Sequence, residues 1–300
     1  MEETRRAPRL AADLALLAVA AAWGLTFPLG KIVLGTLPPF TYLAARFSVA
    51  AVVLVASLPR RHNPPSGRAW TAAVGVGIVL FLGYALQTVG LRFTTASKAG
   101  FITGLSVAMI PVISAVWLRK APRPTVLVGI GAATVGLALL TLNESLAVGR
   151  GDLLVLGCAV CFATHIVLVG RLAPRLDHVT MATAQVVPVA VLSLLAAFVE
   201  RPLPAVAAAG APIWFMIAFM AVTATVAAFL VQMWAQRFTT ASHTGLMFTF
   251  EPVAAAVAAY LVLGEVMTGR QAWGAGLILA GIVMAELKQD AGEARVEERR

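Results

Sequence analysis

Few side chains in this sequence of 300 residues are placed to do chemistry. Three charged or imidazole groups fall well inside apolar runs: Glu251, Arg46 and His165. Polar groups at such depth are costly and usually face a cavity or a partner. Glu251 lies about ten residues into its run, near the midpoint. A carboxyl there could bind an ammonium or other cationic group, carry a proton, or simply hydrogen-bond a neighbouring helix. Arg46 could hold a carboxylate, pair with Glu251 or reach back toward an interface. His165 lies nearer one end of its run and reads as a packing histidine, or as a second charge partner. The amides of Gln87 and Gln232 could bond a solute or fasten two helices together. Trp23, Phe27, Tyr84, Phe229, Trp234 and Phe248 could wall an amphipathic cavity, although core packing would account for any one of them. The candidate lining is therefore Trp23, Phe27, Tyr84, Gln87, Gln232, Phe248 and Glu251. Met247, Phe248 and Glu251 share a helix face at spacings of three and four.

Prolines sharpen this set. Pro28, Pro111, Pro188 and Pro252 fall inside apolar runs. Each removes an amide donor and frees the carbonyl four residues back, at Gly24, Val107, Ala184 and Phe248. In lipid a freed carbonyl needs a partner or a wet cavity, so helix breaks are expected at Pro28, Pro111 and Pro252. Pro188 reads equally well as a packing kink. No catalytic constellation accompanies these residues. The chain has no HExxH, GxSxG, phosphate-binding loop or paired-aspartate motif, and no enzyme activity is expected. Cys158 and Cys161, three apart in an apolar run, read as small core residues, so neither a metal nor another cofactor is expected.

The elements that carry these residues must be membrane helices. Hydrophobic residues make up 60% of the chain and charged residues 12%. Soluble domains run near ~25% charged, and disorder needs the opposite balance. A spanning helix takes roughly 20 apolar residues. Ten such runs are present: 11–33, 40–58, 70–91, 95–118, 124–142, 152–170, 179–199, 212–235, 241–263 and 269–287. Turn chemistry separates several of them, as at Leu37-Pro38-Pro39, Asn63-Pro64-Pro65, Ala121-Pro122-Arg123-Pro124 and Arg201-Pro202-Leu203-Pro204. The strict alternation of a membrane barrel is missing. Arg5, Arg6 and Arg9 before the first run imitate a secretory signal, but the apolar stretch continues to Val33, too long for a signal core. The net charge of +9 sits in short basic runs between spans, which suits lipid headgroups and not nucleic acid. With the N-terminus in the cytoplasm, sixteen Lys and Arg residues fall inside and six outside. Both termini are then expected to be cytoplasmic, with 288–300 a charged and solvated or disordered tail.

Self-similarity gives the organisation. Arg92-Phe93-Thr94-Thr95-Ala96-Ser97 recurs unchanged at 237–242. The same offset of 145 matches Gln87 to Gln232, Gly100 to Gly245, and Gly129, Gly131 and Gly136 to Gly274, Gly276 and Gly281. An offset of 139 aligns Trp23 with Phe162, Thr41 with Thr180 and Arg46 with Gln185. The chain thus reads as two copies, 11–142 and 152–287. Five spans per copy is odd, so the second copy enters the membrane from the opposite side. The expected fold is an all-α integral membrane protein of ten transmembrane helices in two inverted five-helix repeats. Such repeats suit alternating access. The glycine pattern Gly-x-Gly-x4-Gly of spans five and ten has the wrong spacing for a dinucleotide site and suits close helix packing, within the fold or across a dimer.

Two five-helix units, each with Trp or Phe early in its first helix, then the Thr-Thr-Ala-Ser turn and a proline-bearing helix, resemble the EamA family of the drug/metabolite transporter superfamily. Phe248-Thr249-Phe250-Glu251-Pro252 and Leu263-Gly264-Glu265 carry the likeness in the second copy. The first copy departs from it, with Met109-Ile110-Pro111 and with Arg119-Lys120 where the second has Gly264-Glu265. The resemblance implies a secondary transporter of a small organic solute in the bacterial inner membrane, with amino acids or related metabolites first among the solutes and export the expected direction. An importer of the same fold and a channel-like facilitator are the alternatives. Monomer and homodimer both stay open.

Overall fold

The computed structural model describes residues 3–58, 67–118, 124–141, 148–172, 176–200, 203–238 and 241–297. Among these residues every regular element is a helix. In chain order they are α1 (Glu3–Leu34), α2 (Pro39–Ala56), α3 (Gly67–Leu91), α4 (Ala96–Leu118), α5 (Pro124–Thr141), α6 (Arg150–Leu172) and α7 (His178–Val199). There follow α8 (Leu203–Ala208), α9 (Ala211–Ala221), a π-helical turn (Val222–Ala227), α10 (Ala228–Ala235), α11 (Ala241–Phe248), α12 (Phe250–Leu263) and α13 (Gly269–Glu297). The turn signals at Asn63-Pro64-Pro65, Ala121-Pro122-Arg123 and Arg201-Pro202 lie outside the described residues.

Among the described residues eight stretches are long and apolar enough to cross a bilayer: Leu10–Leu34, Pro39–Ala56, Ala69–Leu91, Ala96–Trp117, Arg150–Leu172, His178–Val199, Ala211–Ala235 and Thr244–Leu263. The apolar part of α5, Val128–Leu139, is shorter. Large apolar side chains point outward: Phe198 is 85% exposed and Trp273 76%. In water such a surface would aggregate, whereas lipid solvates it.

Local signals set the helix ends. Proline opens α2 and α5, where its missing N–H is not needed and its φ suits a helix. The Asp177 side chain caps α7 by accepting from the Thr180 N–H at 2.9 Å. Gly264 ends α12 in the left-handed conformation, φ 66°. The next residue, Glu265, then reaches the start of another helix. Its carboxylate accepts from the Ala96 and Ser97 N–H groups at 2.9 and 3.0 Å and from Ser97 Oγ at 2.9 Å. Glu200, just after α7, does the same for α2, accepting from Phe40 N, Thr41 N and Thr41 Oγ1 at 3.1, 2.8 and 2.9 Å. Orphan amide donors at a helix start are here satisfied by residues remote in sequence. Thr94 adds a third tie, with its hydroxyl on Asp152 at 2.5 Å and its carbonyl accepting from Lys31 Nζ. Arg150 lies 3.8 Å above the Phe93 ring.

The main packing pairs are α1 with α12, α4 with α6, α2 with α7, α3 with α6, and α5 with α13. The last pair meets backbone to backbone. A Cβ on Gly136 would stand 2.5 Å from the Gly274 carbonyl oxygen and 2.7 Å from the Ile278 nitrogen. One on Gly281 would press on the Gly129 carbonyl and stand 2.7 Å from the Ala133 nitrogen. The two contacts are reciprocal, each glycine meeting the residues three and seven positions before its counterpart in the other helix.

Three expectations change. Run 212–235 is not one α-helix but two joined by the π turn. Run 241–263 is interrupted at Thr249, three residues before Pro252, where a break was expected. By contrast α1 continues through Pro28 and α4 through Pro111, so neither proline breaks its helix. A single missing bond leaves the flanking turns intact when neighbouring helices hold them. Finally α13 continues as a helix to Glu297, so the part of the tail up to there, expected to be solvated or disordered, is ordered. Ala, Glu, Lys, Arg and Gln in 288–297 are good helix formers.

Candidate functional site

One cavity lies among the helices of the bundle centre. Trp23 and Thr26 from α1, Tyr84 and Gln87 from α3, Thr103 and Ser106 from α4 and Phe162 and His165 from α6 line it. Phe229 and Gln232 from α10, Phe248 from α11 and Glu251 from α12 complete the wall. The centre of a water molecule can reach about 40 Å³ of it. That is room for a few waters, and an organic solute needs a wider form.

Glycines position the acid. Glu251 stands in the first turn of α12, just past the interruption at Thr249. That turn is hemmed in on two sides. A Cβ on Gly24 of α1 would lie 2.6 Å from Ala254 Cβ and 2.7 Å from the Ala255 nitrogen. One on Gly104 of α4 would lie 2.6 Å from Pro252 Cγ. Two helices without side chains at these points bring α12 close enough for Glu251 to reach the cavity.

Aromatic rings make most of the wall. Trp23 lies 4.9 Å from Phe248 and 5.9 Å from Phe229, centroid to centroid. Tyr84 meets Phe162 edge-on at 5.2 Å. Such tilted and edge-on pairs are the favoured aromatic geometry and hold one another in place.

The polar groups divide into engaged and free. Gln87 Nε2 donates to Thr103 Oγ1 at 3.2 Å. His165 Nε2 meets Gln185 Oε1 at 2.5 Å. Gln185 Nε2 in turn donates to the Met181 carbonyl at 2.9 Å. Gln232 is wholly buried, yet neither its Nε2 nor its Oε1 has a partner. No ion pair joins Glu251 to another described residue. A buried amide with both ends unbonded is rare and costs roughly 1–3 kcal/mol per group.

Arg46 is not the counter-ion of Glu251. It lies outside the lining and donates to Thr225 Oγ1 at 2.9 Å, the Ala224 carbonyl at 3.2 Å and Tyr42 OH at 3.3 Å. Its guanidinium also stands 5.6 Å from the Tyr84 ring centroid, behind the cavity wall. Ala224 and Thr225 lie in the π turn, where the widened backbone changes the usual pairing of carbonyl and amide. The same Ala224 carbonyl accepts from Trp23 Nε1 at 2.9 Å. Trp23, Tyr84, Gln87, Gln232, Phe248 and Glu251 thus come together, joined by His165. Phe27 does not join them. It is buried in a separate cluster with Ala99 and Ala255. Trp23 and Thr26 flank the cavity, and Phe27 lies about 100° further round α1 from Thr26. Thr26, Thr103, Ser106 and Phe162 escaped the sequence reading. For Phe162 a signal existed, its alignment with Trp23 at the offset of 139.

Comparison with known proteins agrees with this architecture. The EamA-like transporter family matches the chain twice, over residues 10–142 and 149–287. An uncharacterized transporter of Archaeoglobus fulgidus is 33% identical over 284 residues, covering 93% of this chain and 87% of that one. The uncharacterized transporter YyaM of Bacillus subtilis is 28% identical, covering 90% of this chain and 92% of its own. A crystal structure with 20% sequence identity superposes with a TM-score of 0.67 over 93% of this chain and 97% of that chain, a likeness of fold. The chain, a multi-pass membrane protein, belongs to the EamA-like transporter family.

Proposed function

We propose that the protein is a secondary transporter that carries a small organic solute, an amino acid or related metabolite, through the central cavity by alternating access. Export from the cytoplasm across the cell inner membrane is the proposed direction. The observation that carries the reading is the unpartnered Gln232 amide, sharing with the Glu251 carboxyl an aromatic cavity bordered by helices from both matched segments. A buried polar group without a partner is kept where a ligand supplies one.

In this reading ten helices span the membrane as two inverted repeats, 11–142 and 152–287. Both termini and the tail 288–300 are cytoplasmic. Packing supports it. Exchange of the halves turns the pair α1 with α12 into α6 with α4, and both pairs exist. It also returns α5 with α13 and α2 with α7 to themselves. The end held by Glu200, Glu265 and Asp152 is then the outer one. Its hydrogen bonds must part whenever the cavity opens outward.

Purified protein in proteoliposomes tests the reading with labelled amino acids, amines, sugars and nucleosides, with and without a pH gradient. Saturable movement of one class, above protein-free vesicles, is expected. Flux of all classes without saturation would favour a channel-like pore, and no flux of any would end the transporter reading.

A further inference from the structure

We infer that the solute held in this cavity is an organic amine without a carboxylate, seated with its ammonium on the Glu251 carboxyl and the Gln232 amide oxygen and its apolar body against the aromatic wall. The inference rests on the transport reading above, and within its solutes it keeps the related amines and excludes the amino acids themselves.

Charge arrangement is the first argument. Glu251 contributes an acid to the lining, and no described cation is available there to match it. Arg46 lies behind Tyr84 and is held by Thr225, Ala224 and Tyr42. His165 is tied through Nε2 to Gln185. The carboxylate of a zwitterionic amino acid would enter a site with an acid, aromatic faces and a neutral amide, and would find no cation. Leaving such a charge unmatched in a low-dielectric site is strongly unfavourable. An ammonium meets the opposite situation. The acid neutralises it, and ring faces attract it electrostatically.

Gln232 supplies the second argument, independent of charge. Both ends of its amide are unpartnered and fully buried. The oxygen can take one ammonium hydrogen, and the Nε2 group is left for a water or a neutral acceptor on the solute. Trp23, Phe229 and Phe248 form a rigid apolar surface on the same side, held by their mutual contacts and by the Trp23 hydrogen bond to Ala224. A solute with one cationic end and one apolar end fits both parts.

Matched pairs of probes that differ only in the carboxylate decide the matter. Binding of labelled phenethylamine and phenylalanine, and of tyramine and tyrosine, is measured on the purified full-length protein by scintillation proximity. Each amine should bind at least tenfold more tightly than its amino acid, and Glu251→Gln should weaken the amine at least tenfold. Gln232→Ala should weaken it by a smaller factor. The wild-type comparison alone is decisive, should either variant fail to fold. Amino acids that bind as well as the amines overturn the inference and leave the transport reading standing. So does movement of sugars or nucleosides in vesicles when neither member of a pair binds. Absence of both binding and flux of every class overturns the two readings together.

Discussion

The indole N–H of Trp23 donates to the backbone carbonyl of Ala224, 201 residues further along the chain, at 2.9 Å. Arg46 donates to the same oxygen. One carbonyl of the π turn thus ties α1 and α2 to the second matched segment, beside the cavity. Trp23→Phe keeps an aromatic wall but removes the donor. It should lose about 1 kcal/mol of stability, read as a fall of a few degrees in the melting temperature in detergent. Transport should fall with it. An unchanged melting temperature would show that the Ala224 carbonyl does not need Trp23.

Glu251→Gln keeps volume and hydrogen bonding while removing the charge. If the acid holds a cationic group or a proton, transport drops by an order of magnitude or more, with expression and the size-exclusion profile unchanged. Full activity from pH 5 to 8 would leave Glu251 a structural acid.

Gly24→Ala forces a methyl group against the α12 backbone, within 2.7 Å of the Ala255 nitrogen. Backbone cannot rotate away as a side chain can. The variant should lose at least about 1–3 kcal/mol and move Glu251 away from the cavity, so both melting temperature and uptake fall. Gly75→Ala is the control, since no atom lies within 4 Å of its added methyl group. Equal behaviour of the two variants would remove the close approach of α1 and α12 from the account of the site.

In a background with Cys158 and Cys161 replaced, Gly149→Cys should react with an impermeant thiol reagent added to intact cells. Asn63→Cys and Ala173→Cys should stay unlabelled until the membrane is opened. The opposite labelling pattern would reverse the proposed orientation, and with it the side on which Glu265 and Glu200 act.

Glu265→Ala removes three hydrogen bonds at the start of α4. In the proposed orientation, a cysteine at Gln87 should then label faster from outside than in the parent protein, by severalfold. An unaltered labelling rate would mean that the Glu265 contact does not hold that end closed.

Helices were easy to read because long apolar runs have only one stable form in lipid. The interruption near Glu251 carried a signal as well, in Pro252. Gln232 stood out through its match to Gln87. Other features left no local trace. Val222–Ala227 contains neither Gly nor Pro, so nothing announced the π turn that engages Arg46 and Trp23. Pro28 and Pro111 carry the same local signal as Pro252 but lie in continuous helices, because tertiary packing decides whether a missing bond becomes a break. The capping of α2 by Glu200 and of α4 by Glu265 joins residues 159 and 168 or more positions apart, beyond any periodicity. Phe27 was misplaced because one helix turn cannot say on which flank of Trp23 a cavity opens.

The crossing of α5 and α13 has the form of a homodimer interface enclosed within one polypeptide. Gly136 and Gly281 are each both knob-free surface and receptor, so the contact is self-complementary in the manner of isologous association. Covalent continuity adds nothing to such a joint except effective concentration. Two separate polypeptides, one ending at 142 and one starting at 148, should therefore find each other in the membrane, with glycine as the recognition element. A leucine at either glycine would abolish that assembly while leaving each fragment able to insert.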